Sequence, residues 1–197
     1  MKILFFLIVI MMSACAQKKE ISQEKISFEA INREITPPPV LAEEEITLGE
    51  AATPIIDTGI NRISNINLAC KSINGMELAT GEEFSFNHVT GKKTSARGYK
   101  YAPVIFQGEK SYGIGGGVCQ VSTTIYMAAQ HAKLLISERH SHSESVAYAP
   151  DNNDATVVYG EKDFRFKNTS GESIYVYTWV QEEKVYAKIV KKSIVVK

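Results

Sequence analysis

Cysteine is scarce in this chain. The three present, Cys15, Cys70 and Cys119, are an odd and scattered set that cannot make a disulfide framework. An excess of charge of either sign is also missing, with 22 Lys and Arg against 22 Asp and Glu. The basic footprint of a nucleic-acid-binding surface is therefore absent, and no nucleic-acid partner is expected. Tryptophan occurs once against nine tyrosines, which suits a polar groove as well as a core and decides little. The apolar run Ile3 to Met12 is too short to cross a bilayer as a mature helix. What remains, at 197 residues and 44% hydrophobic, is room for one globular domain with tails.

That short apolar run has another use. Lys2 gives a positive start and Met12-Ser-Ala-Cys15 a small-residue end, so residues 1–15 read as an export signal. The ending resembles a bacterial lipobox, with Met12 where Leu is usual, which implies cleavage before Cys15 and lipidation of its thiol. The protein is then expected outside the cytoplasm as a membrane-anchored lipoprotein of the cell envelope. From Ala16 to Pro54 the chain is polar, with Pro37-Pro38-Pro39 and Glu43-Glu44-Glu45 and no sustained apolar period. Residues 16–54 accordingly read as a flexible tether, and residues 55–197 as the folded domain.

Within that domain the period of apolar residues predicts a helix over 61–74, with Cys70 in its core face, and short strands over 83–86 and 102–107. Residues 90–100 read as an exposed loop or groove edge. A second helix begins near Val118, with Val121, Ile125, Ala128, Ala132 and Leu135 on one stripe. Residues 136–148 alternate like a strand, which would put His140, His142 and Glu144 on one face. Further strands are expected over 155–167, 173–180 and 184–190, with turns at 168–171 and 181–184. The fold class is α+β: a central helix packed on a mostly antiparallel sheet.

The stretch around which the rest is arranged is Ser111 to Tyr126. Gly113, Gly115, Gly116 and Gly117 make a turned loop that leads into the second helix. Cys119 falls in the first helical turn, where unpaired N–H groups and the positive dipole end favour a thiolate. It lies off the apolar stripe, beside Ser122, Thr123 and Tyr126. Cysteine acyl transfer needs a thiolate, an imidazole, a group to orient the imidazole and donors for an oxyanion. His140 or His142 can be the base, and Asp154 or Glu144 the orienting carboxylate. The oxyanion donors would come from the Gly115, Gly116 and Gly117 loop, the Cys119 backbone and the Gln120 amide. Arg97, Tyr99, Ser122, Thr123, Tyr126 and Arg139 are candidates to hold substrate, Arg97 and Arg139 through a carboxylate. The rival chemistry is zinc held by His140, His142, Cys119 and Asp154. It has no second cysteine near Cys119 and no His-x-x-x-His pair behind it, so neither a metal nor a cofactor is expected. His88 and His131 read as surface residues.

Together, Gly81-Glu-Glu-Phe-Ser-Phe-Asn87, Gly91 with Arg97-Gly-Tyr99, Ala102-Pro-Val104, Gly113-Ile-Gly-Gly-Gly-Val-Cys-Gln-Val-Ser-Thr-Thr124, Glu138-Arg-His-Ser-His-Ser143 and Asp154-Ala-Thr156 resemble the VanW family. The resemblance spans about Asn61 to Trp179. The one departure is Lys92-Lys93-Thr94, where the family commonly has an Arg before the threonine. The family takes its name from an accessory gene of glycopeptide-resistance clusters. Some members with this domain are linked to L,D-transpeptidation, which forms 3-3 cross-links in peptidoglycan through a cysteine nucleophile. The resemblance thus implies Cys119 as nucleophile, His140 or His142 as base, and peptidoglycan stem peptides as partners. A binding module that holds peptidoglycan in a Gly/Tyr groove without catalysis is the alternative of a different class.

Overall fold

Phe84, Phe86, Phe164 and Phe166 have no exposed surface and meet at the centre of the fold. The computed structural model describes residues 41–106 and 109–196. The expected signal segment, Cys15 and the tether as far as residue 40 lie outside the described residues. Phe84 on strand β3 (Glu83–Ser85) is the direct register partner of Phe166 on β7 (Arg165–Lys167), and their rings stack with centroids 4.9 Å apart. Strand β6 (Leu135–Glu138) completes a three-stranded antiparallel sheet in the order β3-β7-β6.

The larger sheet has four antiparallel strands in the order β1-β9-β8-β2: β1 (Leu41–Pro54), β2 (Met76–Leu78), β8 (Ile174–Gln181) and β9 (Lys184–Val196). The β8–β9 turn places Glu182 and Glu183 at φ 47° and 55°, as a tight hairpin requires. Helix α1 (Ile60–Ile73) packs on β8, and helix α3 (Val118–His131) on β1 and β9. The short helix α2 (Phe86–Thr90) and the hairpin β4–β5 (Tyr101–Phe106, Glu109–Ile114) stand beside them. Ile66, Ile73, Val121, Ile125, Ile174 and Ile189 fill the space between helices and sheet. Cys70 is buried there as the helical pattern predicts, and burial pushes its thiol up to about 12.

Three expectations are corrected. The polar tether does not run to Pro54, because Leu41–Pro54 is the edge strand β1, paired with β9 along its length. Its inward positions are Gly49, Ala51, Thr53 and then Ile55, so small side chains hide the period of two. Gly49 is required, since a Cβ there would lie 2.3 Å from the Ala128 carbonyl oxygen of α3. The predicted strand over 136–148 ends at Glu138, and His140 and His142 lie on irregular backbone. The strand predicted over 155–167 is likewise formed only at Arg165–Lys167. In both places the backbone bonds to side chains instead of a ladder: His142 N–H donates to Asp154 Oδ2 at 2.7 Å and Ala155 N–H to Thr123 Oγ1 at 3.0 Å.

Candidate active site

The glycine loop brings the thiol to the surface of a buried helix. Gly116 is pressed against β4, where a Cβ would meet the Pro103 carbonyl oxygen at 2.4 Å. Gly117 caps α3 at φ 100°, so the chain can turn there only without a side chain. Cys119 follows in the first turn, partly exposed. Val118 and Gln120 donate their N–H groups to the Gly115 and Gly117 carbonyls, which leaves the Cys119 N–H as the donor at that turn.

Residues 154–157 are clipped onto the same helix. Ser122 donates to the Ala155 carbonyl at 2.6 Å, and Thr123 accepts from Ala155 N–H. The Cys119 sulfur then lies 3.6 Å from both the Thr156 hydroxyl and the Val157 carbonyl. Thr156 N–H donates to the His140 carbonyl at 2.8 Å, so residues 140–142 run beside this segment. That pairing sets His142 between Asp154 and Cys119. Its Nδ1 bonds Asp154 Oδ2, which leaves Nε2 free of that carboxylate, and the ring is close enough for imidazole and thiol to act on each other's ionisation.

The charges agree with the geometry. Burial alone would raise the Cys119 thiol, but the hydrogen bond and charge of His142, with the Val157 backbone and the Thr156 hydroxyl, bring it below its ordinary value. Burial would lower His142, and the same thiolate together with Asp154 raises it instead. Burial also opposes the charge on Asp154, yet His142 and Arg139 hold its carboxyl low. Arg139 Nε donates to the Asp154 carbonyl at 2.6 Å, and its guanidinium reaches Asp154 Oδ1 and the Asn152 carbonyl at 3.0 and 2.9 Å. The result is a Cys-His-Asp line at a helix start, the arrangement of a thiol nucleophile with an oriented imidazole.

Several sequence-predicted residues do other work. His140 turns away, its Nε2 2.9 Å from Glu138, and Glu144 is exposed. Gln120 is not an oxyanion donor. It is fully buried, its amide donates to Thr53 Oγ1 and the Pro54 carbonyl at 3.1 and 2.8 Å, and it accepts from Arg62 at 3.0 Å. Ser122 and Thr123 are buried clips rather than substrate contacts. Tyr126 is buried too, accepting from Gln130 at 2.8 Å under the Arg139 guanidinium. Tyr99 is a core residue whose hydroxyl is buried without a partner. Arg139 serves Asp154 instead of a substrate. Arg97 donates to the Thr90 carbonyl at 2.9 Å and remains exposed, lining a polar cleft with His88, Lys92, Asp163 and Arg165.

Sequence reasoning missed Thr156 and Val157 at the sulfur, Tyr148 beside Thr123, and Lys93, which feels the charge of Cys119. The Asp154-Ala-Thr156 motif and the Lys92-Lys93 departure in the loop after Gly91 pointed toward two of them. Among the described residues, no three of His, Cys, Asp and Glu gather into a metal-binding cluster. Nor is any described helix long and apolar enough to cross a membrane.

A family model described as "VanW like protein" matches residues 61–190. The "Uncharacterized protein YoaR" of Bacillus subtilis is 44% identical over 129 residues, which is 66% of this chain and 43% of that protein. The "Vancomycin B-type resistance protein VanW" of Enterococcus faecalis is 26% identical over 134 residues, 66% of this chain and 49% of that protein. The similarity thus spans less than half the length of these relatives. No solved structure matches the chain.

Proposed function

The chain belongs to the VanW-like family, and on that premise we propose that it is a cell-envelope cysteine acyl transferase of the L,D-transpeptidase kind, acting on peptidoglycan stem peptides. The observation that carries this reading is the line Cys119, His142 and Asp154 at the mouth of the glycine loop. Vancomycin resistance, for which the Enterococcus relative is named, concerns the cell wall and favours the same substrate. The export signal and the lipid expected on Cys15 would hold the domain where that substrate lies.

The chemistry follows from the geometry. The Cys119 thiolate attacks a donor peptide carbonyl, and the Cys119 N–H stabilises the oxyanion. His142, charged in the resting pair, returns its proton to the leaving amine. Asp154 keeps the Nδ1 proton in place throughout, and Arg139 keeps Asp154. An acceptor amine then resolves the thioester, with His142 taking its proton, or water does so.

The test is product analysis. The protein is incubated with stem tetrapeptides carrying an acceptor amine, and products are separated and weighed. A cross-linked or trimmed peptide from the wild type and none from Cys119→Ala supports the reading. Equal peptide binding by both proteins, without product, would instead leave a non-catalytic peptidoglycan-binding module.

A further inference from the structure

Among the described residues, Lys93 is a cation that feels the charge of the thiol and that the chemistry above does not use. Its stem lies on the glycine loop, where a Cβ on Gly115 would fall 2.9 Å from Lys93 Cβ. Its Nζ donates to Asn87 Oδ1 at 2.9 Å and sits 5.2 Å from the centre of the Phe86 ring. Asn87 is itself fixed, its amide donating to the Val158 and Lys162 carbonyls at 3.2 and 2.8 Å and its N–H to Asp163 at 2.8 Å. Val158 adjoins Val157, whose carbonyl lies at the Cys119 sulfur. The ammonium is thus held between two strips of backbone that both lead to the thiol.

It is held there without a counter-ion. Among the described residues no carboxylate forms an ion pair with Lys93. Asp163, the nearest acidic attraction, is already bonded by Ser85, the Asn87 and Phe164 N–H groups, and Arg165. Burial lowers Lys93 to about 8, with the Cys119 thiolate pulling the other way, so it is mostly charged at neutral pH. A partly desolvated cation with one neutral partner gains from an anion.

We propose that Lys93 is the specificity-determining cation of the thiol site: it receives the free carboxylate of the residue that leaves, so the acyl donor is a peptide cut at its last bond. The assignment rests on the acyl-transfer reading. In that step the Cys119 sulfur bonds the carbonyl carbon of the penultimate residue and the C–N bond to the last residue breaks. The departing nitrogen takes the His142 proton, and an amino acid leaves with its carboxylate from Lys93. That carboxylate lies within about 5 Å of the scissile carbonyl by bond lengths alone, a distance that suits a cation beside the nucleophile.

The experiment compares two alkylating agents that differ only in charge, iodoacetate and iodoacetamide, on the full chain, with the site of labelling located by peptide mass. The thiolate fraction enters both rates and cancels in their ratio. The wild-type ratio at Cys119 should favour iodoacetate beyond that of β-mercaptoethanol. Lys93→Met should lower it about tenfold, and Lys93→Arg should keep most of it. A ratio indifferent to Lys93→Met overturns the assignment. A second arm uses one stem peptide as free acid and as carboxamide. Preference for the acid in kcat/KM, lost in Lys93→Met, is the expected result, and equal losses on both peptides contradict it. If neither peptide acylates the protein while the alkylation ratio responds to Lys93→Met, the acyl-transfer reading fails and takes the leaving-residue assignment with it.

Discussion

At the scale of single residues, the site is a division of labour between two similar histidines. His142 lies between Asp154 and Cys119, whereas His140 bonds Glu138 and lends only its carbonyl to the segment that carries Asp154. Asp154→Asn is therefore expected to leave the fold intact and lower kcat by about two to four orders of magnitude, through loss of the correct tautomer. His140→Ala should cost far less, and steady-state kinetics of the two variants separates the roles. The pH profile follows with its sign. Cys119 is lowered and His142 raised, so both shifts favour the thiolate–imidazolium pair. Alkylation of Cys119 by iodoacetamide should then persist below the ordinary thiol range, near pH 8.5, and fall only as acid protonates the sulfur. His142→Ala should shift that inflection upward. Cys119 was legible in the sequence because a glycine run and a helix period converge on it. The choice between the histidines was not, since alternation put both on one face of a strand that the structure ends at Glu138.

At the scale of elements, β1 supports helix α3 from behind. Gln120 joins them, with its amide on Thr53 and Pro54 and its carbonyl on Arg62. Gln120→Ala removes these buried bonds together, and a stability loss of about 2–4 kcal/mol is expected in denaturant titration. An oxyanion role would instead lower kcat with stability unchanged. A protein that begins at Ile55, the boundary read from the sequence, lacks β1 and uncovers β9 and one side of α3. Its thermal transition is expected to be lost or broadened beside that of a protein beginning at Leu41. The helices, the β8–β9 hairpin and the phenylalanine strands were legible because large apolar residues repeat at their own periods. β1 was not, because Gly49, Ala51 and Thr53 bury backbone and small side chains that carry almost no hydrophobic signal.

At the scale of the molecule, the three antiparallel sheets and two long helices among the described residues leave the site at a loop, as an α+β scaffold commonly does. That class was legible from helices followed by alternating segments. Residues 139–148 and 155–157, which the alternation presented as strand, are irregular because the Arg139, Asp154, Ser122 and Thr123 side chains satisfy the backbone of this region. Function at this scale depends on one claim, that Cys119 becomes acylated by a stem peptide. The most direct measurement is the intact mass of residues 41–197 after brief exposure to stem tetrapeptide and quenching in acid. An adduct of the donor acyl group, mapped to Cys119, absent from Cys119→Ala and discharged by an added amine, is the expected result. Equal peptide binding by both proteins, with no adduct at any pH where the thiol alkylates, would contradict it and leave a peptidoglycan-binding module in its place.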